Sequence, residues 1–286
     1  MWILLAFLSA FFAGITAVLA KCGIKQADST VATAIRTIVV LLFSCIMVFI
    51  VGSQDTIPSI SKKTWIFLIL SGCSTGASWL CYFRALQIGN INKVVPIDKA
   101  STTLTILLAF IILGESITWL KGLALIFITA GTYLMIQKNN DKKSTESKRN
   151  SWLIYAVLSA VFASLTTILG KIGIEGVESN LGTAIRTAVV LLMAWIVVFA
   201  TKKQNTIIKT PHKELVYICL SGLATGASWL CYFKALKDGQ ICVVIPIDKL
   251  SILITIMFSY LIFKEKLSVK ALIGLVLIVT GTLAMI

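Results

Sequence analysis

Ten long apolar runs, separated by short polar breaks, make up almost the whole chain. They fall at residues 2–20, 31–51, 65–86, 93–113 and 118–136, and again at 152–170, 181–200, 215–236, 243–263 and 268–286. A membrane-crossing helix needs about 20 mostly apolar residues, so each run predicts one span. The breaks have the chemistry of helix ends. Gly52-Ser53-Gln54-Asp55 with Pro58 closes the second run, and Gly114-Glu115 divides the fourth from the fifth. The one long polar stretch, 137–150, contains Asn139-Asn140-Asp141-Lys142-Lys143-Ser144 and Lys148-Arg149. It has no apolar periodicity and reads as a solvated basic linker.

The pattern occurs twice. Residues 1–136 align with 151–286 without a gap at an offset of 150, and roughly 61 of the 136 positions are identical. Thr33-Ala34-Ile35-Arg36-Thr37 returns as Thr183 to Thr187, Thr75 to Phe83 returns as Thr225 to Phe233, and Pro96-Ile97-Asp98-Lys99 returns as Pro246 to Lys249. Each copy holds five runs, an odd number, so a short linker forces the second copy upside down relative to the first. The predicted fold is an all-α membrane protein: ten transmembrane helices as two inverted five-helix repeats (1–136 and 151–286) around a central cavity, a monomer with an internal pseudo-dimer.

Composition supports the membrane class. Of the 286 residues 58% are apolar and 13% charged, with mean hydropathy +0.94, against about 25% charge in soluble domains. The net charge of +14 does not point to nucleic acid, because Lys and Arg punctuate apolar runs and form no stripe beside a nucleic-acid motif. The N-terminal run lacks a basic flank and cleavage site and reads as a retained span. The seven cysteines lie mostly inside apolar runs without a C-x-x-C, and His212 is the single histidine, so neither a disulfide framework nor a metal site is expected. No cofactor motif is present. Loops after odd-numbered spans carry about 16 Lys/Arg and those after even-numbered spans about 6, which puts the linker in the cytoplasm and both termini outside.

Ionisable groups inside spans are costly and usually face protein or water. Arg36 lies about five residues into span 2, and Asp98 and Lys99 about five into span 4, all roughly 8 Å below one surface. Arg186, Asp248 and Lys249 repeat the set near the opposite surface, roughly 14 Å away along the normal. Neighbouring residues on a helix point about 100° apart. Arg36–Asp98 and Arg186–Asp248 are therefore candidate ion pairs, leaving Lys99 and Lys249 for a ligand. The alternative is that the long side chains snorkel to the interface and the pairs only fix helix register. Pro96 and Pro246 either start a helix, with the aspartate in its first turn, or kink one.

On span 3, Trp79, Tyr82 and Phe83 share a face. They read as a pocket wall or an interfacial belt, and Trp229 and Tyr232 repeat them on span 8. Ser71, Gly72, Thr75, Gly76 and Ser78 permit close helix approach, as do Ser9 on span 1 and Gly274 and Gly281 on span 10. Glu115 and Glu265 read as helix N-terminal caps rather than proton carriers.

The chain resembles the drug/metabolite transporter superfamily, in particular its EamA-type ten-span members. The carrying residues are Ala85-Leu86 after the aromatic face, Pro96 opening span 4, Leu113-Gly114-Glu115 before span 5, and Gly122 with Gly131 in span 5. The second copy repeats them with Lys264-Glu265 in place of Gly-Glu and Gly274 as the first glycine. The resemblance implies a central cavity lined by spans 1–4 and 6–9, peripheral spans 5 and 10, alternating access without ATP, and cytosolic termini, against the charge count. It also implies that lysines in spans 4 and 9, here Lys99 and Lys249, hold anionic groups. Spans 1 and 6 contain no acid, so the proton-coupled cationic-drug mechanism of the four-span branch is not carried over.

These readings predict a secondary transporter or facilitator, not an enzyme, in a plasma membrane. Its partners are the lipid bilayer and a small polar metabolite, anionic or zwitterionic. An amphipathic or lipid-linked substrate, and a membrane scaffold or sensor, are the alternatives.

Overall fold

The computed structural model describes residues 1–23, 27–88, 97, 101–116, 118–135, 151–207, 210–263 and 269–285, and all regular structure among them is helical. The linker and Pro96, Asp98, Lys99 and Glu265 lie outside the described residues. The helices are α1 (Trp2–Gly23), α2 (Ser29–Val51), α3 (Lys62–Ile88), α4 (Ser101–Leu113), α5 (Trp119–Met135), α6 (Ser151–Ile174), α7 (Ser179–Ala200), α8 (His212–Asp238), α9 (Ile241–Lys249), α10 (Ser251–Phe263) and α11 (Val269–Met285). Seven stretches are long and apolar enough to cross a membrane: those of α1, α2, α3, α6, α7 and α8, and α9–α10 together; α4, α5 and α11 are apolar but shorter. The outer faces are apolar, as lipid contact requires: Phe49 and Ile50 at the end of α2 are 67% and 71% exposed.

Asp28 and Glu178, at equivalent positions in the two copies, start α2 and α7. Asp28 accepts from the Thr30 and Val31 amides at 2.8 and 3.3 Å, and Glu178 from those of Asn180 and Leu181 at 2.8 and 3.0 Å. Asp28 also pairs with Lys203 at 2.7 Å, whereas the repeat counterpart of Lys203 is Ser53. Burial alone would raise the Asp28 pKa. The Lys203 ammonium and the two amides outweigh it and hold the carboxyl below its ordinary range. Such a group stabilises the fold above its unfolded pKa, and the contribution is lost as pH falls through the depressed folded value. Lys203→Ala is expected to cost at most about 1 kcal/mol at pH 7, because the pair is partly exposed. The gap from wild type should close once Asp28 protonates, below about pH 4. Melting curves in detergent across that range check it.

The principal helix contacts run between the two copies. α3 packs on α6, α1 on α8, α2 on α7 and α5 on α11. The first two seams are one seam built twice. Ser78 Oγ donates to the Ser159 carbonyl at 3.0 Å, and its counterpart Ser228 Oγ donates to the Ser9 carbonyl at 3.0 Å. The other two join a helix to its own repeat. The start of α2 meets the end of α7 at Asp28–Lys203. In the α5–α11 seam, Gly131 abuts Gly274 and Gly281 abuts Ala124. Both pairs are therefore antiparallel.

Of the two alternatives for Pro246, a helix start or a kink, the ninth run takes the one with the proline inside a helix. Its helix begins at Ile241 and breaks at Leu250, so Pro246 lies inside α9 and Asp248 falls in its last turn, not its first. Two causes are visible. The α9 start is capped from the other copy: Glu115 accepts from the Ile241 and Cys242 amides at 2.6 and 2.9 Å. At the break, Leu250 N–H bonds the Ile247 carbonyl at 2.9 Å, freeing the Pro246 carbonyl to accept from Thr282 Oγ1 at 3.3 Å. Residues 241–247 are all buried, which makes α9 the most enclosed helix segment of the second copy.

Candidate functional site

Where α3, α7 and α8 meet, the fold buries a guanidinium. Gly72 and Gly76 let α3 approach α7 closely: a Cβ at Gly72 would lie 2.6 Å from Val189 Cβ, and one at Gly76 2.3 Å from Met193 Cβ. That approach puts the α3 hydroxyls within reach of Arg186. Its Nε donates to Ser71 Oγ at 3.0 Å and its Nη2 to Thr75 Oγ1 at 2.9 Å. Both hydroxyls already spend their protons, on the carbonyls of Thr166 at 2.7 Å and Ser71 at 3.0 Å, so their lone pairs face the arginine. From α8, the rings of Trp229 and Phe233 stand 5.1 and 4.6 Å from the guanidinium carbon.

Arg186 is only 4% exposed, and its Nη1 has no hydrogen-bond partner. Among the described residues no carboxylate forms an ion pair with it. A buried cation answered only by hydroxyls and π-faces is electrostatically incomplete.

The expected Arg186–Asp248 pair is therefore not formed. Asp248, in the last turn of α9, accepts from Ser9 Oγ of α1 at 2.9 Å, within the Ser9–Ser228 hydroxyl contact of 3.3 Å. Arg186 is committed to α3. Tyr232 neighbours both groups and Thr167. The second-copy candidates Arg186, Trp229, Tyr232 and Asp248 thus gather in one region, while Lys249 is exposed. In the first copy Asp98 and Lys99 lie outside the described residues. Arg36 is half-buried and, unlike Arg186, makes no hydrogen bond to its equivalent hydroxyls: Ser221 donates to the Ile218 carbonyl at 2.7 Å and Thr225 to that of Ser221 at 2.7 Å. Trp79 packs beside Val31, Ala34, Ala194 and Val198, and Tyr82 beside Ala85 and Ala156.

Sequence reasoning assigned Ser71, Thr75 and Ser9 to helix packing and missed them as polar partners of Arg186 and Asp248. A hydroxyl pair four residues apart beside a glycine on the same helix was the available signal.

The EamA-like transporter family model matches residues 1–137 and again 150–286. An uncharacterized transporter from the cobO 3' region of Sinorhizobium sp. is 43% identical over 134 residues, 47% of this chain and 95% of that protein, which is thus about one repeat long. An uncharacterized protein of Methanocaldococcus jannaschii is 30% identical over 129 residues, 45% of this chain and 91% of its own. The uncharacterized transporter YxxF of Bacillus subtilis is 24% identical over 181 residues, 62% of this chain and 55% of that one. A crystal structure superposes with a TM-score of 0.77 over 99% of this chain and 95% of that chain at 14% identity, a likeness of fold alone. With both copies matched from end to end and the helices apolar and lipid-facing, the chain belongs to the EamA-like transporter family and is a multi-pass membrane transporter, not an enzyme.

Proposed function

We propose that this transporter moves a small anionic or zwitterionic metabolite across the plasma membrane by alternating access, as a secondary transporter or facilitator without ATP. The observation that carries the reading is Arg186: buried, with no hydrogen-bond partner on Nη1 and no paired carboxylate among the described residues. The anion docks on the guanidinium between Trp229 and Phe233, and Asp248 receives the ammonium group of a zwitterion. Lys249, exposed beside Asp248, draws the anion in, and Lys99 holds the matching position of the other copy.

Ten spans in two inverted halves are the architecture this mechanism uses. The antiparallel self-pairs α2–α7 and α5–α11 support the inversion, and the apolar character of α4, α5 and α11 supports the count. The two arginines then alternate: while Arg186 holds Ser71 and Thr75, Arg36 leaves Ser221 and Thr225, and the oppositely open state reverses this. The relatives come from bacteria and an archaeon, cells in which helical transporters occupy the cell membrane.

The test is counterflow in proteoliposomes and thermal shift of the purified protein over a panel of carboxylates, phosphate esters, amino acids, organic cations and polyols. Anions or zwitterions should exchange and stabilise the protein, by about 2.7 kcal/mol at a hundredfold excess over Kd. Exchange confined to cations or neutral polyols overturns the substrate class, and no exchange of any class overturns the transport mechanism proposed.

A further inference from the structure

A second cationic site is built from other residues, where α1, α5 and α9 begin and α6 and α8 end. Trp2, Lys121, Lys171, Lys237, Asp238 and Gln240 line a cavity of about 530 Å³. Three ammonium groups face it against one carboxylate. Backbone carbonyls aim two of them: Lys171 Nζ donates to Leu236 O at 2.6 Å and to Gly239 O, and Lys237 Nζ to Val177 O at 2.6 Å. Lys121 Nζ reaches Gln240 Oε1 at 3.3 Å and Ser116 O at 3.4 Å. An ammonium has three N–H donors, so Lys171 keeps one and Lys237 two beyond these bonds. Of the acids near Lys171, Asp238 pairs with Lys234 at 3.1 Å, Glu115 is spent on the α9 amides, and Glu175, just past the end of α6, is exposed and does not line the cavity.

Two further observations point to a ligand. Two of the three lysines and the carboxylate break the repeat: the counterparts of Lys121, Lys237 and Asp238 are Ala271, Gln87 and Ile88, whereas Lys171 repeats Lys21. The full cluster therefore exists in the second copy's setting alone. It also adjoins lipid-facing helix surface, since Trp119 is 84% exposed, and Leu120 and Leu4 are each 59% exposed. We propose that this cavity binds a phosphate group, supplied by the headgroup of an anionic phospholipid whose acyl chains lie along α1 and α5.

Delipidated protein is offered phosphatidylglycerol or phosphatidylcholine of identical chains and examined by native mass spectrometry. The wild type should retain phosphatidylglycerol preferentially. Lys121→Glu, at a side chain that holds no helix-end carbonyl, should cut retention by about fivefold or more, while Lys121→Arg and Lys62→Glu, at the exposed start of α3, should not. Excess orthophosphate should leave the lipid bound. If orthophosphate displaces it and itself stabilises wild type but not Lys121→Glu protein, the phosphate comes from solution and the lipid assignment falls. Equal retention by wild type and Lys121→Glu overturns the site. Solute exchange is not the readout, so this result stands apart from the Arg186 reading.

Discussion

Replacing Arg186 by methionine is expected to abolish solute exchange while leaving the unliganded protein as stable as the wild type, or more so. The two halves of that expectation come from the same fact. Arg186 is buried with no carboxylate paired to it among the described residues, and its Nη1 has no hydrogen-bond partner among them. Exchanging such a buried charge for an apolar side chain of similar length is often neutral, or stabilising by about 1–4 kcal/mol. A bound anion loses a charge-assisted partner in a desolvated site, which costs about 2–5 kcal/mol, or roughly 30- to several-thousand-fold in apparent affinity. Arg186→Lys should fall between, since a lysine keeps the charge but cannot bond Ser71 and Thr75 at once while stacked between two rings. Melting temperature and counterflow, measured on the same preparations, check both halves. A methionine variant that exchanges solute at the wild-type rate removes Arg186 from the mechanism. One that melts several degrees lower makes it a structural strut.

The second large effect is expected from Gly72→Ala. The new methyl would come 2.6 Å from Val189 Cβ and 3.1 Å from the Arg186 carbonyl, so backbone as well as side chain must yield and α3 must back away from α7. Overpacking of this kind costs about 1–3 kcal/mol. It also lengthens the Arg186 bonds to Ser71 and Thr75, so substrate affinity should fall with stability. Gly222→Ala is the paired control. Its methyl would meet Val39 Cβ at 2.7 Å and the Arg36 carbonyl at 3.0 Å, the same clash in the other copy, beside an arginine that makes no such bonds. Comparable loss of melting temperature in both, with affinity reduced mainly in Gly72→Ala, is the expected pattern. Gly122→Ala, which meets nothing within 4 Å, should be neutral.

The membrane class, the repeat and most helices were legible in the sequence because they depend on local hydropathy and caps. Run boundaries shifted by a few residues where a side chain set them, as Asp28 does for α2. The interior of the site was less legible. Sequence depth placed Arg186 and Asp248 near one surface, but whether two side chains meet depends on what the neighbouring helices offer each of them: Ser71 and Thr75 of α3 take Arg186, and Ser9 of α1 takes Asp248. The start of α9 was misplaced for a similar reason. Its cap, Glu115, is 126 residues away in sequence, and no local pattern announces it. Charges that break a repeat, such as Lys121 and Lys237, were readable from the alignment of the copies alone.

The interleaving of the two copies has a consequence for the chain as a covalent object. Among the described residues the main seams, α3–α6, α1–α8, α2–α7 and α5–α11, all cross from one copy to the other. Neither half keeps its principal contacts by itself, so residues 1–136 and 151–286 are units of ancestry rather than units of stability. Severing the chain within 137–150 would leave every one of those seams in place. The fragments should elute as one particle and co-purify when expressed from separate genes. For the same reason the two copies are not free to diverge independently: a bulkier residue on α3 is felt on α6, and its compensation has to arise in the other half of the gene.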